Sequence, residues 1–107
     1  MEINIKDGVS LANLKATTFR AIFATAEILS NKNLITTITS TDEVLPHRLK
    51  NSFHYTGDAF DFRIRRIPVC FRQNIVNKLQ KKLLEIDKRF QVVLKENHIH
   101  VELDWRN

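Results

Sequence analysis

The stretch His98-Ile99-His100-Val101-Glu102-Leu103-Asp104-Trp105 alternates without a break between ionisable and apolar side chains. A period of two belongs to a strand, whose successive side chains point to opposite faces. Whatever sheet holds this segment therefore has one apolar face and one face carrying His98, His100, Glu102 and Asp104. A one-sided sheet needs a cover, and the chain has two stretches of helical period to supply it. In the first, Leu11, Leu14, Thr18, Ile22, Thr25 and Leu29 recur at steps of three and four, widened by Phe19, Ala21 and Ala26. Ser10 stands before it as the expected N-cap, and the helix should end near residues 30–31. The second covers about residues 72–88, with Ile75, Val76, Leu79, Leu83 and Ile86 inward and Lys78, Lys81, Lys82 and Lys88 mostly outward.

Further strands follow from composition and alternation. Residues 34–40, Leu-Ile-Thr-Thr-Ile-Thr-Ser, are β-branched. Residues 60–66 set Phe60, Phe62 and Ile64 against Asp61, Arg63 and Arg65 before Pro68 breaks the pattern. Residues 90–94 lead through Lys95-Glu96-Asn97, a tight turn, into the histidine strand. Ile3, Ile5 and Val9 suit a short edge strand. Residues 41–50 lack periodicity and contain Pro46, so they read as a loop long enough to border a functional site. His47 and Arg48 on that loop are candidate contacts for a substrate carboxylate. The expected fold is one α+β domain over residues 1–107: a small, mostly antiparallel sheet with two helices packed on one face and a metal site on the other.

Charge and composition narrow the partners. Seventeen Lys and Arg against twelve Asp and Glu give a net charge of +5, which fits nucleic acid, anionic lipid or a bacterial wall. No RNP motif, zinc-finger spacing or basic strand interleaved with aromatics is present, which argues against nucleic acid. Every apolar run is short and interrupted by Lys or Arg, so no membrane span is expected. Residues 1–6 have neither a basic n-region nor an apolar h-region, so no secretory signal is expected. Cys70 is the single cysteine, set beside Pro68, Val69 and Phe71, and reads as a small buried thiol. A monomer is expected.

The chemistry begins at Ser52-Phe53-His54-Tyr55-Thr56-Gly57-Asp58-Ala59-Phe60-Asp61. His54 and Asp61 lie seven positions apart, with Gly57 between them to let the backbone turn. Asp61 starts on the polar face of its strand, while His98 and His100 project together from theirs. The expectation is that His54, Asp61 and His100 hold one metal ion. Two imidazoles and a carboxylate are a common catalytic zinc set, because three protein ligands leave a fourth position open.

Ser52, His54, Gly57, Ala59 and Asp61 match the Ser-x-His-x-x-Gly-x-Ala-x-Asp motif of the D-alanyl-D-alanine metallopeptidases, the zinc branch that groups with lysostaphin and hedgehog, and His98-Ile99-His100 matches the second, His-x-His element. Over roughly residues 8–104 the chain further resembles the small peptidase-like proteins of microvirus-type single-stranded DNA phages. The resemblance implies zinc held by His54, Asp61 and His100, with Ser52 supporting the site from behind the ligands. It implies that His98 sits over the attacking water, and that Gly57 and Ala59 serve a turn and a close approach. The implied reaction is hydrolysis of a peptidoglycan stem peptide at D-Ala-D-Ala, or between L- and D-residues, by a carboxypeptidase or an endolysin. Such a protein would be made in the host cytoplasm and act on the wall, or travel with the virion. Many relatives carry an acidic base three residues before the last ligand, where this chain has Asn97. Proton transfer would then fall to His98, or to Glu96 if the turn swings it inward. The alternative is a zinc-bearing wall- or virion-binding module with weak or no turnover.

Overall fold

Residues His98–Leu103 do form a strand, and Ile99, Val101 and Leu103 lie in the core. The computed structural model describes residues 1–41 and 57–104. Its elements run β1 (Ile3–Ile5), α1 (Ala16–Ser30), β2 (Thr36–Ser40), β3 (Ala59–Arg63), α2 (Val69–Ile86), β4 (Phe90–Leu94) and β5 (His98–Leu103). The five strands form one sheet in the order β1-β2-β3-β5-β4. Cross-strand partners Ile38 and Phe62, Phe60 and Val101, Phe62 and Ile99, and Val92 and Val101 share one face, and all are buried. Against that face lie Ala21, Ile22 and Leu29 of α1 and Ile75, Leu79 and Leu83 of α2. Burying each large aliphatic side chain is worth about 1.5–3 kcal/mol relative to exposure, so this shared interior holds helices and sheet together.

The α+β class is as expected, but the sheet is mixed rather than mostly antiparallel. β1 runs parallel to β2, with Ile3 opposite Thr36 and Ile5 opposite Ile38. The cause is the connection. Helix α1 lies between the two strands and carries the chain back to its starting end, so the second strand leaves in the same direction as the first.

Three local expectations are corrected. Ser10 does not cap α1: its hydroxyl accepts from the Ala12 N–H at 3.1 Å, and the helix starts at Ala16 after an extended Lys15. The delay has a physical reason, since Lys15 donates its N–H to the Gly57 carbonyl at 3.2 Å rather than winding the helix back toward Ser10. Strand β3 ends at Arg63, three residues early, because the Ile67 N–H closes a turn onto the Ile64 carbonyl at 2.8 Å. Cys70 is exposed rather than buried. Pro68 starts α2 rather than merely ending a strand. This puts Cys70 in the first turn, ahead of the inward stripe that begins at Ile75.

Candidate functional site

The candidate residues lie on the outer face of the sheet. Register places Asp61 of β3 directly opposite His100 of β5, with Arg63 opposite His98 and Ala59 opposite Glu102. The pairing between β2 and β3 shifts by one residue between Ile38 and Ser40, next to Asp61. Such a bulge bends the strand locally and re-aims side chains. Asp61 is buried, although it faces away from the helices.

A turn that the sequence singled out sets where β3 begins. Gly57 has φ +76, in the left-handed region, and an added Cβ would overlap the Asn13 carbonyl oxygen. Its own carbonyl accepts both the Lys15 N–H and the Thr18 hydroxyl, the latter at 2.7 Å. The next residue, Asp58, is 3% exposed; its carboxylate pairs with the Lys15 ammonium at 3.0 Å and its carbonyl accepts the Leu103 N–H at 2.9 Å. The start of α1, the turn and the end of β5 are thus tied at one point, four residues before Asp61.

Around Asp61 the contacts are short. His100 Nδ1 lies 2.7 Å from Asp61 Oδ1, and His100 Nε2 lies 2.8 Å from Glu102 Oε1. A carboxylate on each ring nitrogen favours the doubly protonated ring over the neutral one. Burial pushes the His100 pKa down, but the hydrogen bond and charge of Asp61, then those of Glu102, outweigh it and leave the value above the ordinary one for histidine. His98 Nε2 sits 3.7 Å from Asp61 Oδ2. Its Nδ1 lies 2.6 Å from Asn97 Oδ1. An amide oxygen only accepts, so this contact calls for a proton on Nδ1 and turns Nε2 toward Asp61.

The structure therefore brings together Asp61, His98 and His100 and adds Glu102 and Asn97. Neither was among the predicted site residues, although Glu102 shares the polar face of β5 in the alternation. Asn97 was read as a missing base; its contact with His98 could be anticipated only from the tight turn. Glu96 is exposed in that turn and makes no hydrogen bond or ion pair among the described residues. His54, Ser52, His47, Arg48 and Trp105 lie outside the described residues.

Among the described residues no group of three or more His, Cys, Asp or Glu side chains is arranged to hold a metal ion. Two of the three expected ligands are described, and their donor atoms face each other. Their 2.7 Å separation is that of a shared proton, whereas two ligands of one tetrahedral zinc stand about 3.4 Å apart. An ion in place of the proton would need the pair to open by ~0.7 Å. Glu102 on the far nitrogen is the kind of partner that orients a ligating histidine. The donor set thus suits zinc chemically, with Nδ1 of His100 as the nitrogen toward Asp61. Compared with known proteins, the chain matches no family model and no curated protein sequence.

Proposed function

We propose that this chain is a zinc-dependent peptidase of bacterial peptidoglycan, cleaving a stem peptide at D-Ala-D-Ala or between L- and D-residues, and encoded by a phage. The observation that carries the reading is the cross-strand contact of Asp61 Oδ1 with His100 Nδ1 at 2.7 Å, beside a second imidazole whose Nε2 faces the same carboxylate. The Ser52 to Asp61 motif supplies the chemical class, through its resemblance to the D-alanyl-D-alanine metallopeptidases.

In this reading His54, Asp61 and His100 hold the zinc, which when bound would activate water and polarise the scissile carbonyl. Glu102 accepts from His100 Nε2 and fixes the ring with Nδ1 toward Asp61. Asn97 accepts from His98 Nδ1 and so aims Nε2 over the same carboxylate. From there His98 Nε2 takes a proton from the attacking water and returns it to the departing amine, the task that an acidic residue at position 97 has in the similar peptidases. Metal analysis of protein purified without added metal, paired with digestion of purified peptidoglycan, tests the proposal. One zinc per chain, cleavage abolished by a chelator, and loss of both zinc and cleavage in His100→Ala are expected. Cleavage that survives in His100→Ala overturns it.

A second reading keeps the zinc and drops the turnover, leaving a module that docks on wall polymer or a virion protein. It is favoured by the amide at Asn97, which cannot act as a general base. Co-sedimentation with walls, with no cleavage by the wild type or by Asn97→Asp, selects it over the peptidase.

A further inference from the structure

Beside the histidine cluster but not part of it, a depression of about 260 Å³ is lined by Asn4 of β1, Thr37 of β2, residues 33–35 after α1, Arg63 at the end of β3, and Arg65, Arg66 and Ile67. Three arginines border it, and no Asp or Glu does. Among the described residues, the side chains of Arg63, Arg65 and Arg66 make no ion pair or hydrogen bond. Three like charges gathered around one hollow repel each other and raise its potential, and an anion entering it relieves both.

The walls are built, not loose. Arg65 and Arg66 are the central residues of the turn closed by the Ile67 N–H on the Ile64 carbonyl at 2.8 Å. The Arg72 side chain, reaching back from α2, donates to the Ile67 carbonyl at 2.9 Å and the Ile64 carbonyl at 3.2 Å, fixing both ends of that turn. Opposite, Asn33 takes a left-handed φ of 59 and the Leu34 N–H bonds back to the Leu29 carbonyl at 2.9 Å. A hollow held between two hydrogen-bonded turns loses little freedom when it binds. Guanidinium forks match the planar oxygens of a carboxylate or the oxygens of a phosphate, and Asn4 and Thr37 add neutral polar groups. The volume lies just below that of pockets for drug-sized ligands, so it suits an anionic group of a few heavy atoms.

We infer that this depression is a binding site for a small oxyanion, a carboxylate or phosphate group, held chiefly by Arg63, Arg65 and Arg66. Arg63 is the register partner of His98, so the site opens on the same sheet face as the histidine cluster. The inference goes beyond the peptidase reading and does not depend on it.

The test titrates glutarate and, separately, inorganic phosphate into the full chain at constant ionic strength, followed by NMR of backbone amides and arginine Nε–H groups. Saturable shifts confined to residues 3–5, 33–37 and 63–67 are expected. Affinity should fall at least tenfold in the double variant Arg65→Gln with Arg66→Gln, whose side chains are exposed, and stay unchanged in Lys81→Gln on the outer face of α2. Tighter glutarate binding assigns a carboxylate as the ligand chemistry, and tighter phosphate binding assigns a phosphate; either supports the site. Shifts spread equally over Lys78, Lys81 and Lys88, or an unchanged affinity in the folded double variant, overturn it. A chain that binds these anions yet cleaves no peptidoglycan keeps this site and loses the peptidase.

Discussion

The chain contains an internal control for the turn that sets the start of β3. Gly8 and Gly57 both have positive φ, +86 and +76, but a Cβ on Gly8 would meet nothing within 4 Å, whereas one on Gly57 would overlap the Asn13 carbonyl oxygen and come within 3.3 Å of Leu14 Cα. Replacing either with alanine forces an L-residue into the left-handed region, a cost of about 1 kcal/mol. Only Gly57→Ala adds the overlap with backbone, which has no rotamer to retreat into. Overpacking of that kind costs about 1–3 kcal/mol, so the expected totals are about 1 kcal/mol for Gly8→Ala and about 2–4 kcal/mol for Gly57→Ala. At roughly 4 °C per kcal/mol in a domain of this size, thermal midpoints should fall by about 4 °C and about 8–16 °C. Thermal and urea unfolding of the two variants side by side read the difference directly. Equal losses would mean that the contact between Gly57 and Asn13 does not constrain the turn, and that the anchoring of β3 described above is wrong.

The remaining expectations concern single groups. In metal-free protein the His100 pKa lies above its unfolded value of about 6.5. The stability it contributes is therefore complete below that pH and declines as pH rises through the higher folded value. Thermal midpoints with chelator present should drop between neutral and alkaline pH in the wild type and drop less in His100→Gln; matching slopes would show that the Asp61 and Glu102 contacts do not raise the pKa. Asp87, bonded by the Arg89 side chain and N–H, has its pKa held down to about 2. Its carboxyl carbon should titrate there by NMR and return toward the ordinary value in Arg89→Ala, with any stabilisation lost as pH falls through that range. If the peptidase reading is right, Asn97→Ala should lower kcat by about tenfold or more with KM little changed, because His98 loses its tautomer-fixing partner, while Asn97→Asp retains that acceptor. Unaltered kcat in Asn97→Ala would remove His98 from proton transfer.

Much of the architecture was legible because burial imposes period. The inward residues Ile75, Val76, Leu79 and Leu83 of α2 follow from the helical period, the bounds of β4 from its apolar run before a turn, and the two-faced β5 from alternation. What escaped was decided by contacts distant in sequence. Ser10 resembles a cap, yet the chain from 10 to 15 stays unwound because Gly57, far along the sequence, takes the Lys15 N–H. The parallel pairing of β1 depends on where α1 delivers the chain, and no property of Ile3 or Ile5 encodes that. At the site, the shared face of Asp61 and His100 was readable from the alternation of two strands. Their facing register was not, nor was the use of Asn97 as an acceptor for His98. Arg65 and Arg66 were read as a continuing strand, which hid the hollow; a signal was present in the Arg-Arg pair before Ile67-Pro68, a sequence suited to a turn.

The strand order has a consequence for how the molecule breathes. β3 and β5, which carry Asp61 and His100, have strands on both sides, whereas β1 is three residues long, paired on one side and largely exposed. Amide protons flanking the imidazole cluster should be among the slowest to exchange with deuterium, and those of β1 among the fastest. Asn4 sits on that fastest strand and also forms one wall of the arginine hollow. An occupant there would cross-brace the rim of the sheet, and slowed deuterium uptake at residues 3–5 would report its arrival without any label on the ligand.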